Sequence, residues 1–141
     1  MKRITAIALF ALATLVAGTA KAQSNTLKAT VPFDFTVGTA HVPAGTYMIS
    51  STGSSSTVRL QNDSGKVNIF GIGFADGKQT KASKLVFARY GDNYFLREIL
   101  CARGDMNVEL PVSKSEKWAQ QQQATLQQSK DQVEVALNEI R

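Results

Sequence analysis

Between residues 27 and 37, apolar and polar side chains alternate almost without a break. Leu27, Ala29, Val31, Phe33, Phe35 and Val37 fall on one side; Lys28, Thr30, Pro32, Asp34 and Thr36 fall on the other. A period of two marks a strand with one buried and one wet face. Pro32 lies on the wet side and cannot donate to a ladder, which favours an edge position or a bulge. Shorter strand-like runs follow at residues 47–50, 57–61, 66–74, 84–90 and 94–102, and 106–112 alternates again. Between them lie turn-forming clusters: Gly38-Thr39-Ala40, Val42-Pro43-Ala44-Gly45, Asn62-Asp63-Ser64-Gly65, Gly91-Asp92-Asn93 and Arg103-Gly104-Asp105. Gly71 and Gly73 share one face of the 66–74 run, which points to a bulge, a sharp coil or the close approach of another element.

At Ser113 the period changes. Ser113 with Glu116 three residues on reads as a capping-box start, and neither Gly nor Pro occurs from there to Arg141. Leu126, Val133, Leu137 and Ile140 are spaced for one helix face, which predicts a helix from about residue 114 to 139. Its centre is glutamine-rich, and its first half offers little besides Trp118 to bury. The apolar stripe suits docking on the β body and equally a partner helix, the latter giving a homo-oligomer.

The fold class expected is all-β: a small antiparallel β-sandwich or barrel of about eight strands with a C-terminal α-helix. The division runs 1–22 leader, 23–112 β domain, 113–141 glutamine-rich helix. Pattern alone does not separate sandwich from barrel.

The leader reads as a cleavable secretory signal peptide. Met1-Lys2-Arg3 is a positive start, residues 4–17 are uncharged and mostly apolar, and Ala20-Lys21-Ala22 before Gln23 is a small-x-small cleavage signature. The apolar run falls short of the roughly 20 residues that span a bilayer. No cysteine stands near Ala22 for a lipid anchor. The expected destination is the periplasm or the extracellular space, with no membrane span after cleavage. A transmembrane barrel would need longer strands and aromatic girdles.

Cleavage changes the charge picture. The whole chain carries +5, but Lys2, Arg3 and Lys21 leave with the leader, so the mature chain is left with 13 basic against 11 acidic residues. That balance argues against a nucleic-acid partner. Lys78, Lys81 and Lys84 form the one local basic cluster, in a loop-like stretch without aromatics.

The residues that carry chemistry are sparse. One His (His41) and one Cys (Cys101) cannot build a metal site, and no close pair of acids stands out, so no metal or cofactor is expected. His41 falls in a turn without a G-x-S-x-G context. Cys101 sits in an apolar run, as a buried small hydrophobe does. No catalytic residue emerges, and the chain is expected not to be an enzyme.

The segments Val31-Pro32-Phe33-Asp34-Phe35-Thr36-Val37-Gly38 and Val42-Pro43-Ala44-Gly45-Thr46-Tyr47, with the later block from Leu85 to Leu96, carry a resemblance. The chain resembles an uncharacterised family of small exported β-rich proteins of Acidobacteria-type bacteria. The resemblance implies export and a β fold, and no activity or site residues. The expected function is an exported non-catalytic β-domain with a binding or structural role; its partner is unknown. The alternative is a carrier of small hydrophobic ligands, with Phe33, Phe35, Tyr47, Phe70, Phe74 and Phe87 lining a barrel cavity.

Overall fold

The computed structural model describes residues 26–52, 56–126 and 130–140, so the leader with Ala20, Ala22 and Gln23 lies outside the described residues. In chain order the elements are β1 (Thr26–Val31), β2 (Phe35–Val37), β3 (Ala40–Val42), β4 (Gly45–Ser51), β5 (Thr57–Asn62) and β6 (Asn68–Ile72). There follow β7 (Phe74–Ala75), β8 (Lys84–Tyr90), β9 (Asn93–Leu100), β10 (Val108–Glu109), helix α1 (Lys114–Thr125), β11 (Asp131–Ala136) and β12 (Asn138–Glu139). They form a β-sandwich. One sheet runs β12-β1-β4-β5-β6 and the other β11-β8-β9-β10-β7, with the β2–β3 hairpin joined to β9 through β2.

Alternation decides which side chains face inward. Leu27 stands opposite Ile49, Ile49 opposite Leu60, and Leu60 opposite Ile69, a row that crosses four strands of the first sheet. From the second sheet, Leu85 opposite Ile99 and Phe87 opposite Leu96 meet that row. Phe35 packs edge-to-face on both Tyr47 and Phe87, so aromatic rings fill the space between the sheets.

The chain passes between the sheets at corners. The long alternating run of residues 27–37 is two strands in two sheets, broken at Pro32-Phe33-Asp34, where proline's missing donor ends the ladder. Phe33 pins that corner by stacking on Tyr94 at 3.9 Å and meeting Phe87 edge-on. The expected 66–74 strand is also two, β6 and β7, divided at Gly73. A Cβ at Gly73 would lie 2.3 Å from the Glu109 carbonyl oxygen, and one at Gly71 would lie 3.1 Å from a Leu110 methyl. The glycines therefore admit β10 and its successor residues, one of the outcomes their spacing suggested.

The C-terminal segment corrects the expected helix. α1 ends at Thr125, and the chain re-enters the body as β11, paired antiparallel with β8 over six residues, and β12, paired with β1. The helical spacing of Leu126, Val133, Leu137 and Ile140 coincides with a second periodicity: Val133, Val135 and Leu137 also alternate. Two β-branched residues in that alternation favour a strand, and pairing with β8 buries them partly while Leu137 is buried at a corner. The stripe is therefore not one helix face. Leu126 is exposed at the end of α1, Val133 leans on the core, and Ile140 is exposed beyond β12.

Each outer strand of one sheet thus continues into an outer strand of the other, β6 into β7 and β11 into β12. Chains that switch sheets in this way cap a sandwich edge with their own backbone.

Candidate functional site: a groove beside helix α1

The site is built on the attachment of α1. Ser113 caps the helix, its Oγ accepting the Glu116 N–H at 3.1 Å. The Glu116 carboxylate turns into the body. Only 2% exposed, it accepts the Tyr90 hydroxyl at 3.3 Å and Arg97 Nη1 at 3.5 Å. Arg97 also reaches Glu109 at 3.5 Å, which ties the helix start to β9 and β10 together. Burial, and then the neighbouring Glu116 charge, push the Tyr90 hydroxyl above its ordinary pKa, so it stays a donor. One helical turn on, Ala119 packs with Ala88, Tyr90 and Phe95 on the outer face of the second sheet. The helix is docked, but through Glu116 and Ala119 and not through the stripe that the sequence offered for docking.

Beside the docked face lies another. Ser115, Trp118, Ala119 and Gln122 recur at helical spacing and share one side of α1. They form one wall of an open groove of about 440 Å³. The facing wall comes from the β2–β3 hairpin, through Thr36, Thr39 and His41; Asn93 stands at the start of β9, and Phe95 makes the floor. The Trp118 side chain is the outlier: residue 118 is 69% exposed, where the sequence offered it as something to bury. His41 is largely solvent-facing, with Nε2 3.8 Å from Asp34 Oδ2. Asp34 is itself held by the Ala44 N–H at 2.7 Å. None of the groove's lining residues is a carboxylate, lysine or arginine.

The other sequence candidates do not converge. Cys101 is buried against Ser83, and burial, with Asp105 next, pushes its thiol pKa up. Two of the three clustered lysines are paired: Lys78 with Glu98 at 2.6 Å and with Asp76 at 3.3 Å, and Lys84 with Glu134 at 2.7 Å. The loop is pinned by buried Asn107, which donates to the Lys78 carbonyl and accepts the Cys101 N–H. Of the six aromatics proposed to line a cavity, Phe35, Tyr47 and Phe87 are core, and Phe33 packs against it. Phe70 and Phe74 point to solvent with Ile72, on the outward face that Gly71 and Gly73 leave to them. Among the described residues no group of His, Cys, Asp or Glu is placed to hold a metal. No described helix is long and apolar enough to cross a membrane.

No family model, curated protein or solved structure matches the chain. The chemistry of the groove is therefore the guide to what it holds. Of its residues only His41 and Trp118 stand out in the sequence. Thr36, Thr39, Asn93 and Gln122 are ordinary strand, turn and helix residues until the fold brings them together. The spacing of Ser115, Trp118 and Gln122 is the one signal that could have shown the helical wall.

Proposed function

We propose that this chain is an exported, non-catalytic β-sandwich that acts by binding, in the periplasm or outside the cell, with the groove beside α1 as its binding face. The observation that carries this reading is the exposed Trp118 indole on a helix fixed by a buried carboxylate. Burying a large apolar side chain is worth about 1.5–3 kcal/mol, which a solvent-facing indole forgoes in the free protein and recovers against a ligand. A groove that sets two aromatic side chains, Trp118 and Phe95, among a few polar groups has the composition of a recognition site. The leader pattern, and the resemblance to small exported proteins, support export. The two residues nearest to nucleophile and base are held apart in role: Cys101 lies in the interior against Ser83, and His41 meets Asp34 at the surface.

Two measurements test it. Expression of the full chain in a bacterial host, with fractionation and N-terminal sequencing, should give a processed protein beginning at Gln23 outside the cytoplasm. An unprocessed cytoplasmic chain would overturn export. Trp118 is the only tryptophan in the chain, so its emission reports the groove alone. Screening sugars, lipids, peptides and nucleotides should find a ligand that shifts that emission and loses affinity in Trp118→Ala. Binders that all leave the emission unmoved would overturn the groove as the binding face.

A further inference from the structure

We infer that the ligand of this groove is a neutral saccharide, an inference that rests on reading the groove as a binding face. The charge of the lining comes first. With His41 its one titratable side chain and neither Lys nor Arg in its walls, the groove offers little to hold a phosphate, nucleotide or carboxylate.

The polar groups come second. Threonine and serine hydroxyls and the amides of Asn93 and Gln122 each both donate and accept hydrogen bonds. That bidirectional character matches a ligand whose own groups are hydroxyls. A hydrocarbon chain, by contrast, would leave those groups unsatisfied at its surface. The apolar element comes third. The exposed indole of Trp118 is a flat plate, and a pyranose ring presents one face of C–H groups beneath a rim of hydroxyls. Phe95, only 6% exposed, adds a nearly closed floor rather than a greasy channel. The volume, about 440 Å³, falls within the roughly 300–1,000 Å³ of small-molecule sites. An aromatic plate, walls without lysine, arginine or carboxylate, and two-way hydrogen-bonding groups together describe a sugar more closely than any other ligand class.

The test is a titration of the isotope-labelled mature chain with neutral oligosaccharides of β-glucan, α-glucan, xylan and chitin type. Backbone resonances and Trp118 emission are followed together. At least one saccharide should bind saturably, move the resonances of Thr36, Asn93 and Gln122, and shift the emission to shorter wavelength. Trp118→Ala, with its fold checked by circular dichroism, should weaken that binding roughly tenfold or more, and Trp118→Phe should restore part of it. Affinity should change less than about twofold between low and high salt, because the ligand carries no charge.

If every saccharide leaves the groove resonances still while a peptide, a lipid vesicle or a nucleotide moves them, the saccharide inference falls and the groove reading stands. If no ligand of any class moves them, both fall. Saccharide binding that is equally tight in Trp118→Ala overturns the assignment to this groove.

Discussion

The Tyr90 hydroxyl donates to Glu116 Oε1 at 3.3 Å, so a strand of the second sheet and the first turn of α1 meet through a buried hydrogen bond to a carboxylate. Trp118 follows two residues later on the adjacent helix face. The position of the indole therefore depends on a contact that does not touch the groove.

Loss of that contact should be felt in both places. Glu116→Ala strips Tyr90 of its acceptor but leaves Arg97 with Glu109, so the cost should be about 2–3 kcal/mol, at or below the low end for a broken buried pair. Glu116→Gln keeps an acceptor and should cost about half as much. Urea denaturation measures both, and native-state backbone resonances of α1 should move in the alanine variant more than in the glutamine variant. Stability of Glu116→Ala within about 0.5 kcal/mol of the parent would show that the helix is held by other means.

The two corner glycines should differ sharply. A Cβ at Gly73 meets the Glu109 backbone at 2.3 Å, where nothing can rotate away, whereas one at Gly71 meets side-chain methyls of Leu110 and Val58 at 3.1 and 3.2 Å. Gly73→Ala should cost about 3 kcal/mol or more, or prevent folding, and Gly71→Ala about 1 kcal/mol. Thermal unfolding of the pair checks the ordering. Equal effects would mean that β7 does not lie against β10 as described.

Alkaline pH should weaken the fold. Burial raises the pKa of Tyr90 and of Tyr47 above 10.0, the first helped by the Glu116 charge and the second by Asp34. A raised pKa means that the folded state holds the proton more tightly than the unfolded chain. The associated stability is complete below about pH 10 and is lost as pH rises from there through the folded values. Denaturant midpoints should hold steady from pH 6 to about 8, begin to fall near pH 9, where buried Cys101 adds the same kind of linkage, and fall further above about pH 10. In Tyr90→Phe the fall should be shallower; an unchanged slope would count against a buried, carboxylate-facing hydroxyl.

Cys101 should resist thiol reagents. Its thiol is buried and its pKa is raised by desolvation, so little thiolate is present at neutral pH and little of it is reachable. Labelling with an aromatic disulfide at pH 7.5 should proceed only on the timescale of local opening, and at once in denaturant. Prompt stoichiometric labelling of the native protein would contradict this placement.

Much of the sandwich is legible in the chain because alternation and turn residues act locally. The inward row of Leu27, Ile49 and Leu60 and the Lys84–Tyr90 hairpin strand follow from period and turns alone. What escapes is set over distance. Residues 27–37 alternate through a corner because Phe33 remains apolar while it changes sheets, and nothing local marks the break but Pro32. In the C-terminal segment Val133 and Leu137 satisfy a helix face and, with Val135 between them, a strand face at once. The free edge of β8 decides between them, and that edge exists only after the sheet has formed. The groove is less legible still. Its walls come from a hairpin near residue 40, a turn near 92 and a helix near 118, joined by Glu116 reaching Tyr90.

The pairing of the last strands has a consequence for how the molecule is made. β1 stays open on one side until Asn138 and Glu139 arrive, more than a hundred residues on, and β8 until Asp131–Ala136 arrive. A polypeptide emerging N-terminus first therefore leaves an edge of each sheet unfinished until residues 131–139 have emerged. Contacts across more than a hundred residues form slowly. A chain cut before residue 131 would leave both of these strand edges open to pair with another molecule.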